Sequence, residues 1–304
     1  SAFTALKAIY DESETAQKAQ ISTAYLSAWQ QVTEGIARDI EGSTASNDRS
    51  SFWFYARDAG HFIRTEEELV PVLKEKCLDS GIARGQYEFL NALSFAPIPL
   101  GQLAATEAEQ LYCDMLAEQS GGFARCGDGT TTRQIHRILG RSGRPGLEAM
   151  LRIGTESREE GIYALGINDT PEAEAILWNM YENCPENHAR SRIQILRALS
   201  GRRGETQVQE ARRARIRAAL SPYLQLPAGE VNLWNMEHAV ALAKDTRDPY
   251  YFPHVTELEA ALRQLSDDQF DPEGSNLSVA ERRAALYTHL DEATAKLRDA
   301  KPLD

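Results

Sequence analysis

"YALGINDTPEAEAILWNMYENC", residues 163–184, closes one apolar helical run at Leu165-Gly166, turns the chain and opens another run. The turn is Asn168-Asp169-Thr170-Pro171. Thr170 is suited to cap the next helix and Pro171 to begin it, because the N–H that proline lacks has no partner in a first helical turn. Ala173, Ile176, Leu177, Met180 and Tyr181 then fall on one stripe of a 3.6-residue period, and Cys184-Pro185 ends the run. Asn187 is placed to cap a second helix whose stripe is Ala189, Ile193, Leu196 and Leu199, with Gly201 as a left-handed stop. The segment therefore reads as an antiparallel helix pair with apolar inner faces. Such a pair cannot bury both faces by itself and needs neighbours stacked on it.

The same period runs outward in both directions. In 15–41, Ile21, Tyr25, Ala28, Val32, Ile36 and Ile40 recur at steps of three or four. Thr65–Glu68 reads as a capping box ahead of Leu69, Leu73 and Cys77, and Ser278–Glu281 as a second one ahead of Leu286, Leu290, Ala293 and Leu297. Another helix precedes Gly121-Gly122 and contains Leu111 and Met115. No stretch alternates as a strand would, so the expected fold is all-α. Breakers recur through the second half at 141–146, 201–204, 225–230 and 271–277, a spacing that points to helical repeats.

"SREEGIYALGINDTPEA" (157–173) resembles the second helix, turn and next first helix of HEAT-like repeats. In that family an arginine stands eight positions before the glycine of an Ala-Leu-Gly ending, and a D-x-P-E-A-like turn follows. Here Arg158 precedes Gly166 by eight and Arg192 precedes Ser200 by eight, while "TTRQIHRILG" has Arg133 one place off. "ALAKDTRDPYYFPHV" (241–255) resembles the turn again at Asp248-Pro249. The resemblance implies a HEAT-like α-solenoid of antiparallel helix pairs. It divides the chain into an N-terminal helical region (1–125), repeats (126–268) and a C-terminal capping helix (269–304). It also implies that Arg158 and Arg192 bridge neighbouring repeats and that the second helix of each pair lines a concave face.

Composition narrows the function classes. The formal net charge of −12 opposes whole-molecule attraction to nucleic acid or anionic lipid. The charge is uneven, however: residues 190–217 hold nine arginines against Glu205 and Glu210, a local +7 that leaves −19 for the rest. No apolar run approaches the ~18 residues of a membrane span. The chain starts at Ser1-Ala2-Phe3 without Met, which fits either a removed signal segment or a trimmed piece. Four cysteines, Cys77, Cys113, Cys126 and Cys184, allow two disulfides. Together with the loop position of Cys126 in "GGFARCGDG", they point to a periplasmic or secreted location, the cytoplasm being the alternative. Cys184-x3-His188 offers a metal only two ligands, fewer than a zinc site takes, so no metal and no cofactor is expected.

Arg190, Gln194 and Arg197 recur at i, i+4 and i+7, away from the apolar stripe of their helix, and Arg212 and Arg213 extend the patch. Either they form a solvated helix face, or they recognise an acidic partner or a phosphate. "SFWFYARDAGHF" (51–62) crowds four aromatics before Asp58 and His61, an i, i+3 pair that suits a surface ion pair or an acid/base couple. "GDGTTT" (127–132) suits a helix cap or a phosphate cradle. Trp178 and Trp234, in similar "LWNM" contexts, read as core. Hydrolase, P-loop, zincin and dinucleotide motifs do not occur, so no catalytic residue is assigned. The leading expectation is a non-enzymatic solenoid that grips another protein with an acidic surface through Arg190, Gln194, Arg197, Arg212 and Arg213. An exported inhibitor or immunity-type protein would be one such case. The second reading is a HEAT-like nucleic-acid binder or DNA glycosylase-like enzyme using arginines 190–217. A third is a cofactor-handling helical protein.

Overall fold

The computed structural model describes residues 8–25, 65–79, 85–96, 98–120, 129–202, 206–226, 231–266, 269–271 and 278–300. The fold is all-α. Among the described residues the extended pairing is limited to Val231–Asn232 (β1) beside Phe270–Asp271 (β2), parallel, with Val231 opposite Phe270. The aromatic run at 51–62, Cys126 and the start of the "GDGTTT" loop lie outside the described residues. By backbone contact the chain divides into Ser1–Thr170 and Pro171–Asp304, inside the turn of the opening stretch. No described helix is long and apolar enough to cross a membrane.

The first unit contains α1 (8–12), α2 (15–25), α3 (Glu66–Leu73, continued by a π turn at Lys74–Leu78), α4 (Gly85–Phe95), α5 (Gln102–Ser120), α6 (Gly129–Arg141), α7 (Gly143–Ile153) and α8 (Glu159–Ile167). Helix α6 packs against α4, α5, α7 and α8. Its apolar face explains this: Ile135, Ile138 and Leu139 are fully buried, and each such side chain contributes about 1.5–3 kcal/mol. Gly140 lies within α6 at its closest approach to α8. A Cβ there would stand 2.5 Å from Ile167 Cγ1 and 2.6 Å from the Ala164 carbonyl oxygen.

Polar side chains lock these helices at their ends. Thr65 precedes α3 but makes no capping bond; Glu66 reaches instead to the start of α5, where its Oε1 accepts from the N–H groups of Gly101 (2.9 Å) and Ala104 (2.6 Å). Arg141 ends α6 by donating to the carbonyls of Leu93 (3.1 Å), Ser94 (2.8 Å), Ala96 and Ile98 (2.9 Å). That guanidinium gathers carbonyls from the C-terminal turn of α4 and the residues just after it, where helix carbonyls lack intrahelical partners. The bridging expected of Arg158 thus falls to Arg141, while Arg158 is exposed at the start of α8. Asn168, fully buried, fastens the INDTP turn by donating to the Gly143 carbonyl (2.7 Å) and accepting from Thr170 N–H and Oγ1–H.

The second unit contains α9 (Pro171–Asn183), α10 (Ala189–Ser200), α11 (Thr206–Leu220, with a 3₁₀ turn at Ser221–Leu224), α12 (Leu233–Thr246), α13 (Tyr251–Leu262) and α14 (Val279–Arg298). Helix α10 packs on α9, α11 and α12, and α14 packs on α12 and α13. Most of the expected stripes are the buried faces: Ile193, Leu196 and Leu199 on α10, and Leu286, Leu290, Ala293 and Leu297 on α14. The Ser278–Glu281 capping box forms in full.

Three local readings change. On α9 the fully buried residues are Ala173, Leu177 and Trp178, with Ile176, Met180 and Tyr181 half-buried, because the buried arc centres on Leu177 and reaches Trp178. Helix α10 begins after His188 and not Asn187, without a side-chain cap. Gly201 has φ −80°, so it ends α10 in ordinary right-handed backbone; among the described residues the left-handed positions are Gly143, Gly154 and Arg247.

Cys77, Cys113 and Cys184 are free thiols, so the disulfide expected from the even count is not formed at any described cysteine. Cys77 is buried in the π turn, where desolvation, then the charge of Glu88, pushes its thiol above the usual range.

Candidate functional site

The arginines of 190–217 separate into two groups once the helices are packed. Arg190 and Arg197 are exposed on α10 with Gln194 half-buried between them, as the i, i+4, i+7 spacing requires. Across from them, α12 presents Trp234 and His238, one turn apart. The two rings stack with centroids 3.6 Å apart and planes 16° from parallel. The Arg190 guanidinium lies 4.6 Å from the centre of the Trp234 ring. Such a cation–π contact is worth about 0.5–1 kcal/mol at an exposed site.

His238 is held in one tautomer. Its Nδ1 is 2.9 Å from the Trp234 carbonyl, which only accepts, so Nδ1 carries the proton and Nε2 presents a lone pair. Desolvation keeps its pKa below the ordinary histidine value; the carbonyl opposes that, and the nearby charges of Arg197 and Arg190 reinforce it. Beside this cluster is a pocket of ≈ 190 Å³ lined by Ala189, Pro222, Tyr223, Asn232, Asn235 and Met236, among others. Asn232 is itself held in place as the N-cap of α12, accepting from Asn235 N–H at 3.0 Å.

The remaining arginines are mostly built into the unit. Arg212, expected on the binding face, is buried: it donates to the Arg202 carbonyl (3.1 Å) and to Glu174 (2.5 Å). Its position on α11 turns it towards the end of α10, where backbone carbonyls and one carboxylate await a cation. Arg202 is also buried, 3.6 Å from the same Glu174 carboxylate. Burial alone would raise the Glu174 pKa, but the bond from Arg212 and the charges of Arg212 and Arg202 outweigh it and hold the carboxyl below its usual range.

Arg217 makes a two-bond pair with the buried Asp248 (2.7 and 2.8 Å), which also accepts from Tyr250 N–H. Asp248-Pro249 therefore forms the expected turn and ties it to α11. Arg215 is paired with Glu182 over the Trp178 ring, and Arg192 lies 4.5 Å from the centre of the Tyr181 ring. Arg213 is half-buried and lines a separate cavity of ≈ 100 Å³ with Arg202, Arg212, Gln209, Asp248 and Tyr251 among its walls.

The chain matches no family model, no curated protein and no solved structure. Among the described residues no group of three or more His, Cys, Asp or Glu side chains is gathered as a metal site. The Cys184–His188 pair closes on itself instead: the Cys184 thiol faces the His188 carbonyl at 4.0 Å.

Of the partner-binding residues read from sequence, Arg190, Gln194 and Arg197 share one face, Arg213 lies at the cavity on α11, and Arg212 is removed to the interior. Trp234, His238, Glu174 and Asp248 carry the local geometry and were not singled out as site residues. For Trp234 and His238 the signal was present, a polar aromatic pair at i, i+4 in "LWNMEH". Glu174 gave no signal and Asp248 only that of a turn, because their arginine partners are distant in sequence.

Proposed function

We propose that this chain is a non-enzymatic helical-repeat binding protein whose α10–α12 face takes an acidic segment of another protein. The observation that supports it is the pairing of two exposed cations, Arg190 and Arg197, with an aromatic stack and an adjoining pocket. Neither arginine is ion-paired with a described residue, and Arg190 is held against Trp234. A carboxylate-bearing segment would meet both guanidiniums, and an apolar side chain next to it would enter the pocket at Ala189 and Met236. Arginine over tryptophan is a common anchor pair at interfaces because both bury well and keep a polar handle. The α9–α10 and α10–α11 contacts, together with the repeated Asn168 and Asp248 turns, support the stacked, HEAT-like arrangement in which α10 lines a recognition face.

The polyanion reading is weaker on the same geometry. With Arg202 and Arg212 buried, Arg217 on Asp248 and Arg215 on Glu182, the continuous basic stripe shrinks to a few side chains. Nucleic-acid affinity depends on the number of phosphates neutralised.

The test is affinity capture from native extract with the parent and with Arg190→Glu/Arg197→Glu, after their melts are shown to agree, followed by titration of any captured protein against both purified forms. Charge-assisted hydrogen bonds of about 1.5–3 kcal/mol predict at least a tenfold loss of affinity in the double variant. Equal affinity for every partner would overturn the reading. Loss of nucleic acid with a steep salt dependence would favour the alternative.

A further inference from the structure

The ≈ 100 Å³ cavity lies at the opposite end of α10 from Arg190, between Leu199 and Ser200, α11 and the turn after α12. A buried water needs only ~10–15 Å³ of such space, so the cavity has room for an anion with three or four oxygens. Its walls are unusual in charge. Arg202, Arg212 and Arg213 line it, and Asp248 is the carboxylate among them. That carboxylate is already committed to two bonds from Arg217 and one from the Tyr250 N–H. Glu174 lies against both Arg202 and Arg212, whose side chains are only 2% and 6% exposed.

Arg212 has a further capacity. Two of its nitrogens are bonded, but its Nε–H is buried with no acceptor. A buried donor without a partner is destabilising, and an oxyanion would satisfy it. Arg213, next in the chain and half-buried, has no described carboxylate within ion-pair distance and lines the same cavity. Guanidinium donors converging on a small space match a planar or tetrahedral oxyanion better than a neutral or cationic ligand.

We propose that this cavity is a binding site for a small oxyanion, a phosphate or carboxylate group, held by Arg212 and Arg213. The group belongs either to a phosphate compound or to a carboxylic acid. The site is separate from the α10–α12 face, so the two proposals fail independently.

The experiment uses the full chain. Thermal melts and isothermal titrations are run with inorganic phosphate, acetate and chloride at matched ionic strength. Phosphate or acetate is expected to raise Tm saturably, beyond chloride, with one site per chain. The favoured anion tells the two sources apart. Phosphate also stabilises proteins non-specifically. The decisive comparison is therefore Arg213→Gln, expected to bind at least tenfold more weakly while keeping the anion-free Tm, with Arg213→Lys restoring part of the affinity. Arg190→Glu/Arg197→Glu should bind the anion as the parent does. If Arg213→Gln melts early, the parent and Arg213→Lys titrations still decide. No saturable heat with phosphate or acetate in the parent, or the same Tm increment in Arg213→Gln, would overturn the proposal.

Discussion

Glu174→Gln should strongly destabilise the second unit. The substitution keeps size and one amide oxygen but removes the charge that two buried guanidiniums share. Glu174 accepts from Arg212 at 2.5 Å and stands 3.6 Å from Arg202 Nε, and its own side chain is 19% exposed. At an effective dielectric constant near 20, the two attractions are worth at most ~7 and ~5 kcal/mol before desolvation is counted. Desolvation offsets much of that sum, and breaking a buried pair from one side typically costs about 3–5 kcal/mol, because the stranded charge remains inside. With a urea slope of roughly 2 kcal/mol per M, the unfolding midpoint should fall by about 1.5–2.5 M. The control is Glu182→Gln at the exposed Arg215–Glu182 pair, with side chains 48% and 59% exposed, where a change of about 0–1 kcal/mol is expected. If Glu174→Gln costs no more than the control, Arg202 and Arg212 do not depend on this carboxylate and the account of the second unit's buried charge is wrong.

Leu196→Ala, at a fully buried position, should cost about 2–5 kcal/mol in denaturant melts, and Ile176→Ala clearly less because Ile176 is half-buried; equal costs would contradict the placement of the α9 and α10 faces. Gly140→Ala should destabilise by about 1–3 kcal/mol, since its methyl group meets Ile167 and the Ala164 carbonyl; a neutral substitution would mean that α6 and α8 are further apart than described. Acid should weaken the fold in two stages. Desolvation lowers the pKa of His136, fully buried with Nδ1–H on the Thr132 carbonyl, and that of His238, so the unfolded chain takes up protons first and stability falls as pH drops below 6.5. The depressed pKa of Glu174 adds a second loss below 4.5, as pH falls through its folded value. Melts from about pH 7 to about pH 5 should show the first stage, and it should shrink in His136→Gln/His238→Gln; a parent Tm that is flat over that range would refute it.

Local periodicity was sufficient for the helices. The runs at 131–140, 171–183 and 279–298 carry apolar residues at steps that only a helix places on one face; in the first and last those faces are the buried ones, while on 171–183 the buried arc shifts to include Trp178. The DTP and DP turns were legible for the same reason, since proline and short polar side chains act within a few residues of themselves. Which arginines are available to a partner was not legible. Arg190, Arg197, Arg212 and Arg213 are equal in sequence, and only packing sends Arg212 inward to Glu174, 38 residues away, while Arg190 stays outside against Trp234. Gly140 and Gly201 read alike as helix ends, yet one is a helix–helix contact and the other an ordinary right-handed turn. Arg158 matched the repeat pattern, but Arg141 meets the carbonyls at the end of α4. A side chain's period along its own helix is a local property. The partner that satisfies its charge lies on another helix, and its position exists only once the helices have packed.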